Sequence, residues 1–414
     1  GNFIGTDAAG TTDLGNNGNG ITLRDGSNNR IGGTTVGASN LISGNDGDGI
    51  GIEGNSIGNL LQGNFIGTDV TGTVALGNAN QAIFIRDLAS NTTIGGTESG
   101  ARNIVSGDIL LRSGPNLLQG NFIGTDITGT VRLGGGALDI QSANNTVGGL
   151  VPEARNILRA MDIFGSSATG NVVQGNFIGT DVTGTVALAN PVSAFGITNA
   201  TDNLIGGTEP GAGNIIAGGS LGGLRIITQE VFGGSAADNI IQGNFIGTDL
   251  TGTIELGNGG HGIELANTSG NIIGGTASGA GNIIAHSGED GVFVESGTNN
   301  TILGNTIHSN GSLGIDLGTD GVNSNDSGDG DTGANNLLNF PVLSAVTASN
   351  ITGSLNSAPN TTFRTGRETG TSSPMVRGWA RPRLRCGLNG QAGATVGSTR
   401  SLLWPRTARV GRVR

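Results

Sequence analysis

The sequence predicts an all-β solenoid, a parallel β-helix of about ten turns, and three observations carry that reading. The heptapeptide Gly-Asn-Phe-Ile-Gly-Thr-Asp begins at Gly1, Gly63, Gly120, Gly175 and Gly243. A related phrase, Asn-x-Ile/Val-Gly-Gly, stands between successive copies, so the structural unit is about half the apparent period. Short apolar segments of alternating pattern, bounded by Gly and Asn, fill the units and leave no room for a long helix.

Each unit supplies three strands. The first reads apolar-x-apolar, as at Ile21/Leu23, Ile50/Ile52, Ile83/Ile85, Ile109/Leu111, Leu138/Ile140, Ile263/Leu265, Val292/Val294 and Ile315/Leu317. The second and third each follow an asparagine. One such turn cannot close a core, whereas turns stacked at ~4.8 Å pair every strand above and below and align the inward Ile, Leu and Val.

Two asparagine columns are expected at the corners, because Asn tolerates left-handed backbone and bonds neighbouring backbone. One runs Asn29, Asn59, Asn116, Asn145, Asn171, Asn203, Asn239, Asn271 and Asn300, with Thr92 in one Asn place. The other runs Asn40, Asn64, Asn103, Asn121, Asn156, Asn176, Asn214, Asn244, Asn282 and Asn305. Spacing between the columns alternates, as in Asn29 to Asn40 against Asn59 to Asn64, so two kinds of turn alternate. The longer kind carries a Thr-x-x-Gly-Ala-x surface loop.

The alternation and the Asn-x-Ile-x-Gly-Asn-x-Ile wording resemble the right-handed parallel β-helix repeats of the pectin-lyase-like superfold. The Gly-Asn-Phe-Ile-Gly-Thr-Asp-x-Thr-Gly-Thr form is similar to repeats of large secreted or surface proteins of bacteria. The resemblance covers about residues 1–340 and implies the fold far more specifically than an activity, since that superfold hosts lyases, hydrolases, adhesins and structural rods. It also implies an extracellular or cell-surface location, and that an immunoglobulin-like sandwich follows the solenoid.

The expected divisions are a β-helix over 1–318, an Asp/Gly/Asn-rich closing segment over 319–339, a truncated sandwich start over 340–363 and a basic tail over 364–414. The tail holds 11 of the 20 arginines beside one acid, Glu368, while residues 1–363 carry 9 Arg against 30 acids. Its inverted charge and the loss of repeat grammar predict a non-native or disordered tail.

Composition excludes several functions. An acidic balance over the repeats argues against nucleic acid, which needs clustered cations. One cysteine, Cys386, excludes a disulfide framework, and no apolar run approaches the ~20 residues of a membrane span. Lys and Tyr are absent and both tryptophans, Trp379 and Trp404, lie in the tail. The repeats therefore lack the usual aromatic platforms for sugar, and no catalytic constellation is legible.

Three groups are candidate sites. An outward row after the first strands, Arg24, Glu53, Arg86, Arg112 and Gln141, with Phe84 and Asp139 one pleat away, offers Arg to a carboxylated sugar or forms a solvated charge ladder. Arg225, Glu230 and Phe232 fall in the longest variable segment, read as a loop over 218–238, where solenoids meet ligands. Asp320, Asp326, Asp329 and Asp331 are weak calcium candidates, or a plain turn. The heptapeptide aspartates read as turn residues, being ~9.6 Å apart and too distant to share an ion. The resulting expectation is a non-catalytic structural or adhesive protein of the bacterial surface or secretome, contacting extracellular glycans or surface proteins. The alternative is a polysaccharide lyase or glycoside hydrolase, which a pair of carboxylates ~5–9 Å apart in a groove would favour.

Overall fold

The computed structural model describes residues 1–319, 321–346 and 350–356, with the strands Thr362–Arg364, Arg383–Arg385 and Ala392–Gly397. Three parallel sheets wind into a right-handed β-helix. Sheet A collects eleven strands from Ile21–Arg24 to Ile315–Leu317, sheet B ten from Arg30–Gly32 to Thr301–Leu303, and sheet C eleven from Phe3–Ile4 to Thr306–His308. Every strand pairs with its counterparts one turn before and one turn after, so the chain visits C, A and B in each turn.

The inward positions of sheet A are the expected ones. Ile50, Ile52, Ile83, Ile85, Ile109, Leu111, Leu138 and Ile140 are fully buried and pack with the inward residues of the other sheets into one continuous core. Three sheet A strands escape the sequence pattern: Ala160–Phe164, Phe195–Thr198 and Gly222–Ile227.

Both asparagine columns are present as hydrogen-bonded ladders. Asn176, for instance, donates from its backbone N (2.9 Å) and Nδ2 (3.1 Å) to Oδ1 of Asn214, which repeats the gesture toward Asn244. Each Oδ1 thus accepts two bonds from the turn before, satisfying amides that the corner would otherwise bury unpaired. Thr92 interrupts the first ladder, and its buried Oγ1 has no partner. A third ladder, unforeseen, begins with Asn16, Asn45 and Asn78 at the corner from C to A.

The alternation of turns has a packing cause. Sheet C presents an outward apolar column in which Phe65, Phe122, Phe177 and Phe245 alternate with Ile104, Ile157, Ile215 and Ile283. Each heptapeptide continues into a small hairpin that folds back over this column, closed by antiparallel bridges such as Thr68 to Ala75. The glycine of Thr-Gly-Thr is needed for contact: a Cβ on Gly72, Gly129 or Gly184, all at positive φ, would stand 2.6–2.8 Å from Phe65, Phe122 or Phe177. One hairpin spans the width of two turns, since Ile127 N bonds Gly72 O and Val182 N bonds Gly129 O directly across the intervening turn. A hairpin on every turn would collide with its neighbour.

In the turns without hairpins, the Thr-x-x-Gly-Ala-x loop, replaced by Leu-Val-Pro-Glu-Ala-Arg at 150–155, tucks Ala101, Ala154, Ala212 and Ala280 into the corner. Arg102 and Arg155 from these loops lie 3.9 Å above the rings of Phe122 and Phe177.

Residues 331–338 belong with the rod. Asn335 extends the first asparagine ladder by accepting from Asn300 N at 2.9 Å, and Ala334 and Leu337 pack on the core cluster. A second compact unit holds residues 325–330 and the described residues from 339 onward. In it Val342–Val346 pairs antiparallel with Asn350–Leu355, which pairs antiparallel with Ala392–Gly397. The rest of the basic segment 364–414, for which disorder is expected, lies outside the described residues, apart from Arg364 and the paired strand Arg383–Arg385.

Candidate functional site

Hairpins cover the outer face of sheet C, so its aspartates are committed locally. Asp69 accepts from Thr71 Oγ1 at 2.7 Å and from the backbone N of Thr73 and Val74 at 3.1 Å each, and the same set recurs at Asp126, Asp181 and Asp249. These carboxylates hold turns, not ligands. At Asp7 the backbone N–H groups of Thr11, then Thr12, hold the carboxyl below its ordinary value.

The outer face of sheet A is different. Its strands carry polar and aromatic side chains in register, and no hairpin lies over them. At the N-terminal end the predicted row forms: Arg24 Nε donates to Glu53 Oε1 at 2.8 Å and Arg86 Nε to Glu53 Oε2 at 2.9 Å. Arg86, then Arg24, hold the Glu53 carboxyl below the usual range. Arg112 Nε bonds Gln141 at 3.1 Å, and Arg86 and Arg112 flank Phe84 at 5.0 and 5.4 Å from its centroid. Of these arginines, Arg112 is exposed and pairs with no carboxylate among the described residues, leaving its Nη groups for one.

Toward the middle of the rod the corner from C to A is pinched. In the turns without hairpins it takes residues 43–49, then 106–108, then Arg159 alone, then 217–221 and 286–291. The constriction opens a notch at the edge of sheet A, and the sequence places acids there. Asp139 and Asp162 are register partners on adjacent strands, hence ~4.8 Å apart along the rod. Neither has a hydrogen-bond or ion-pair partner among the described residues. Asp108 stands beside them, its Oδ1 accepting from Ala137 N at 2.9 Å and Gly136 N at 3.1 Å.

Arg159 closes the notch, reaching Asn190 Oδ1 from Nη1 at 3.2 Å while its Nε is buried without a partner. Gly196, the next register partner of Asp162, makes room for it: a Cβ there would stand 2.1 Å from Asp162 Oδ1. Crowding by protein, then the Asp108 charge, raises the Asp139 carboxyl to about 6, against the pull of Arg159. The same crowding, then the charge of Asp139, raises Asp162 to about 7, although Asp162 is exposed to solvent and its charged form is screened there. Two like charges this close cannot both ionise freely, so the pair holds a proton near neutral pH.

Sequence reasoning does not single out Asp162, Asp108 or Arg159. A signal exists nonetheless: Leu138-Asp139-Ile140 and Met161-Asp162-Ile163 are the same apolar-Asp-apolar strand phrase.

The variable segment 218–238 corrects another expectation. It is not one loop: residues Gly222–Ile227 form a sheet A strand, because Leu224 and Ile226 continue the buried columns. Arg225 therefore points outward from a strand and forks onto Glu264 at 2.6 and 3.1 Å, which raises its pKa above the ordinary value. Glu230 and Phe232 sit on a short 3-10 turn beyond the strand, with Phe232 edge-on to Phe164 at 5.2 Å. Arg225 is not brought together with them as one loop surface. Further along the face His261 stacks on Phe293 at 4.4 Å and lies 2.9 Å from Glu289.

Of the calcium candidates, Asp320 lies outside the described residues. Asp326 accepts from Gly330 N at 3.1 Å and Asp329 from Asn339 N at 2.8 Å, within the second unit, while Asp331 belongs to the rod unit. Among the described residues no three His, Cys, Asp or Glu side chains are grouped to hold a metal ion. A cavity of about 670 Å³ at the C-to-A corner is lined by Asn190, Asn258, His286 and Asn310, and Asn190 is also the residue that Arg159 reaches. Asn258 and Asn310 are engaged in corner hydrogen bonds.

No protein-family model, no curated protein and no solved structure matches the chain. Among the described residues no helix is long and apolar enough to cross a membrane.

Proposed function

We propose that the chain is a non-catalytic, glycan-contacting rod of the bacterial cell surface or secretome, and that it meets its ligand along the outer face of sheet A. One observation carries this reading: sheet A leaves unpaired carboxylates, an unpaired guanidinium and Phe84 facing outward in register, whereas sheet C buries its apolar column under hairpins. Arg112 and Phe84 suit a carboxylated sugar, one through its planar fork and the other through its ring. With Asp162 raised further than Asp139, the pair offers a carboxyl donor beside a carboxylate acceptor, which suits vicinal hydroxyls.

The test is a screen of neutral and uronic-acid oligosaccharides against the full chain, with Arg112→Ala and Asp162→Asn. Binding of a uronic-acid oligomer, weakened at least tenfold by Arg112→Ala, supports the proposal. Absence of any binding, or binding indifferent to both changes, rules out this face.

A hydrolase is the second reading, favoured specifically by Asp139 and Asp162. The two residues stand one strand spacing apart, ~4.8 Å, with both carboxyls raised toward neutrality, and retaining glycosidases use a carboxyl pair about 5 Å apart. Against it, neither carboxyl is held by a hydrogen bond, and catalytic groups need supporting partners to keep their geometry. Reducing ends released from any polysaccharide, and lost in both Asp139→Asn and Asp162→Asn, would make this the function.

A further inference from the structure

The hairpins that seal sheet C create a second surface. Hairpin-to-hairpin bonds, Val70 N to Gly10 O and Ile127 N to Gly72 O at 2.9 Å and Val182 N to Gly129 O at 2.8 Å, join the first four as one stacked layer, and the fifth follows at Asp249. Along its crest a row of β-branched side chains stands exposed: Val74 at 59%, Val131 at 55%, Val186 at 54% and Ile254 at 40%. A parallel row holds Val70, Ile127 and Leu250, also exposed. Equivalent residues repeat every second turn, ~9.6 Å apart. Between the rows lie only threonines and glycines, so the crest is uncharged on a chain whose residues 1–363 are strongly acidic.

We propose that this crest pairs two copies of the chain side by side and antiparallel. A second copy carries the same ~9.6 Å repeat, so several hairpins can engage at once in a two-fold arrangement. The acidic rods can approach here without like-charge repulsion, and charge selects the register. The residue that closes each hairpin is Asp13, Ala75, Arg132, Ala187 or Glu255 in order. A two-fold axis through the fourth hairpin, at Ala187, places Arg132 opposite Glu255 of the second copy, twice. An axis through the third would instead set Arg132 against itself and Asp13 against Glu255. Three overlapping hairpins bury a small area, so the pairing is reversible and weak.

Sedimentation of the full chain over a rising concentration series, at low and high salt, tests this. The weight-average mass should climb toward twice the monomer value and persist at high salt, as apolar contacts do. Val131→Asn with Val186→Asn, both on exposed crest positions and checked for an unchanged circular dichroism spectrum, should weaken association at least tenfold. Glu255→Arg alone should weaken it, and the exchange Arg132→Glu with Glu255→Arg should restore it. A chain that stays monomeric throughout, or association that the double Asn variant leaves intact, overturns the pairing. Failure of the charge exchange to restore what Glu255→Arg loses overturns the register.

Discussion

Sheets A and C share one backbone rhythm and one core, yet their outer faces have opposite fates. Sheet C alternates Phe with Ile and lies under hairpins, so it behaves as a second, shallow core. Sheet A carries Glu53, Phe84, Asp139, Asp162, Arg225 and Glu264 at its outward positions and stays uncovered. The difference shows that a solenoid turn does not decide which of its faces is structural. The arc that follows each strand decides, by returning over the sheet or by stepping away from it.

Removing the covered side of this contrast should have the largest effect. Phe177→Ala leaves a cavity beneath Gly184 and Arg155, and stability to urea should fall by about 3–5 kcal/mol. Phe84→Ala, the same change on the open face, should move stability by less than about 1 kcal/mol. Equal losses would mean that sheet A is covered in solution.

Uncoupling one hairpin comes next. Asp181→Ala removes an acceptor that holds Thr183, Thr185 and Val186, and should lower stability by about 2 kcal/mol. Faster amide exchange should be confined to residues 179–188 and the strand beneath them. Loss spread evenly over all turns would show that the hairpins do not act singly.

Thr92→Asn should go the other way. An amide here would give Asn59 the acceptor that every other ladder member meets and remove a buried hydroxyl without a partner, a gain of about 1 kcal/mol in melting experiments. No gain would mean that the side chain cannot reach across the turn.

The smallest effect belongs to the notch. Asp139 and Asp162 hold their protons more tightly folded than unfolded, so between about pH 4 and pH 7 the unfolded chain binds fewer protons. The contribution of this pair to stability falls as pH rises through that window and levels off above it. Asp139→Asn with Asp162→Asn should flatten this slope and raise the melting temperature slightly at pH 8. A slope unchanged by the double variant would assign it to other groups.

What is legible in the sequence follows from strictly local grammar. Asn spacing places the corners, and alternating Ile pairs place most sheet A strands, because each signal fits within a few residues. Arg24, Glu53 and Arg86 are legible for the same reason, each standing one residue past a visible strand position. Asp162 escapes because its strand opens Ala160-Met161, not Gly-Ile, and because adjacency to Asp139 depends on the length of every arc between them. The Thr-Gly-Thr phrase shows a turn but not a lid, since nothing local says that its glycine lies on a phenylalanine ring. Arg225 reads as a loop residue because Gly218, Gly219, Gly222 and Gly223 crowd the approach to it, and the last two of these lie inside the strand itself.

The hairpin that bridges two turns also sets the step in which such a chain can lengthen. Duplicating or deleting a single turn would bring two hairpins onto one strip of sheet C, or leave a phenylalanine and an isoleucine bare. Recombination that moves a pair of turns preserves every contact at both new junctions. The heritable module is therefore the doublet, and rods descended from this one should differ by even numbers of turns.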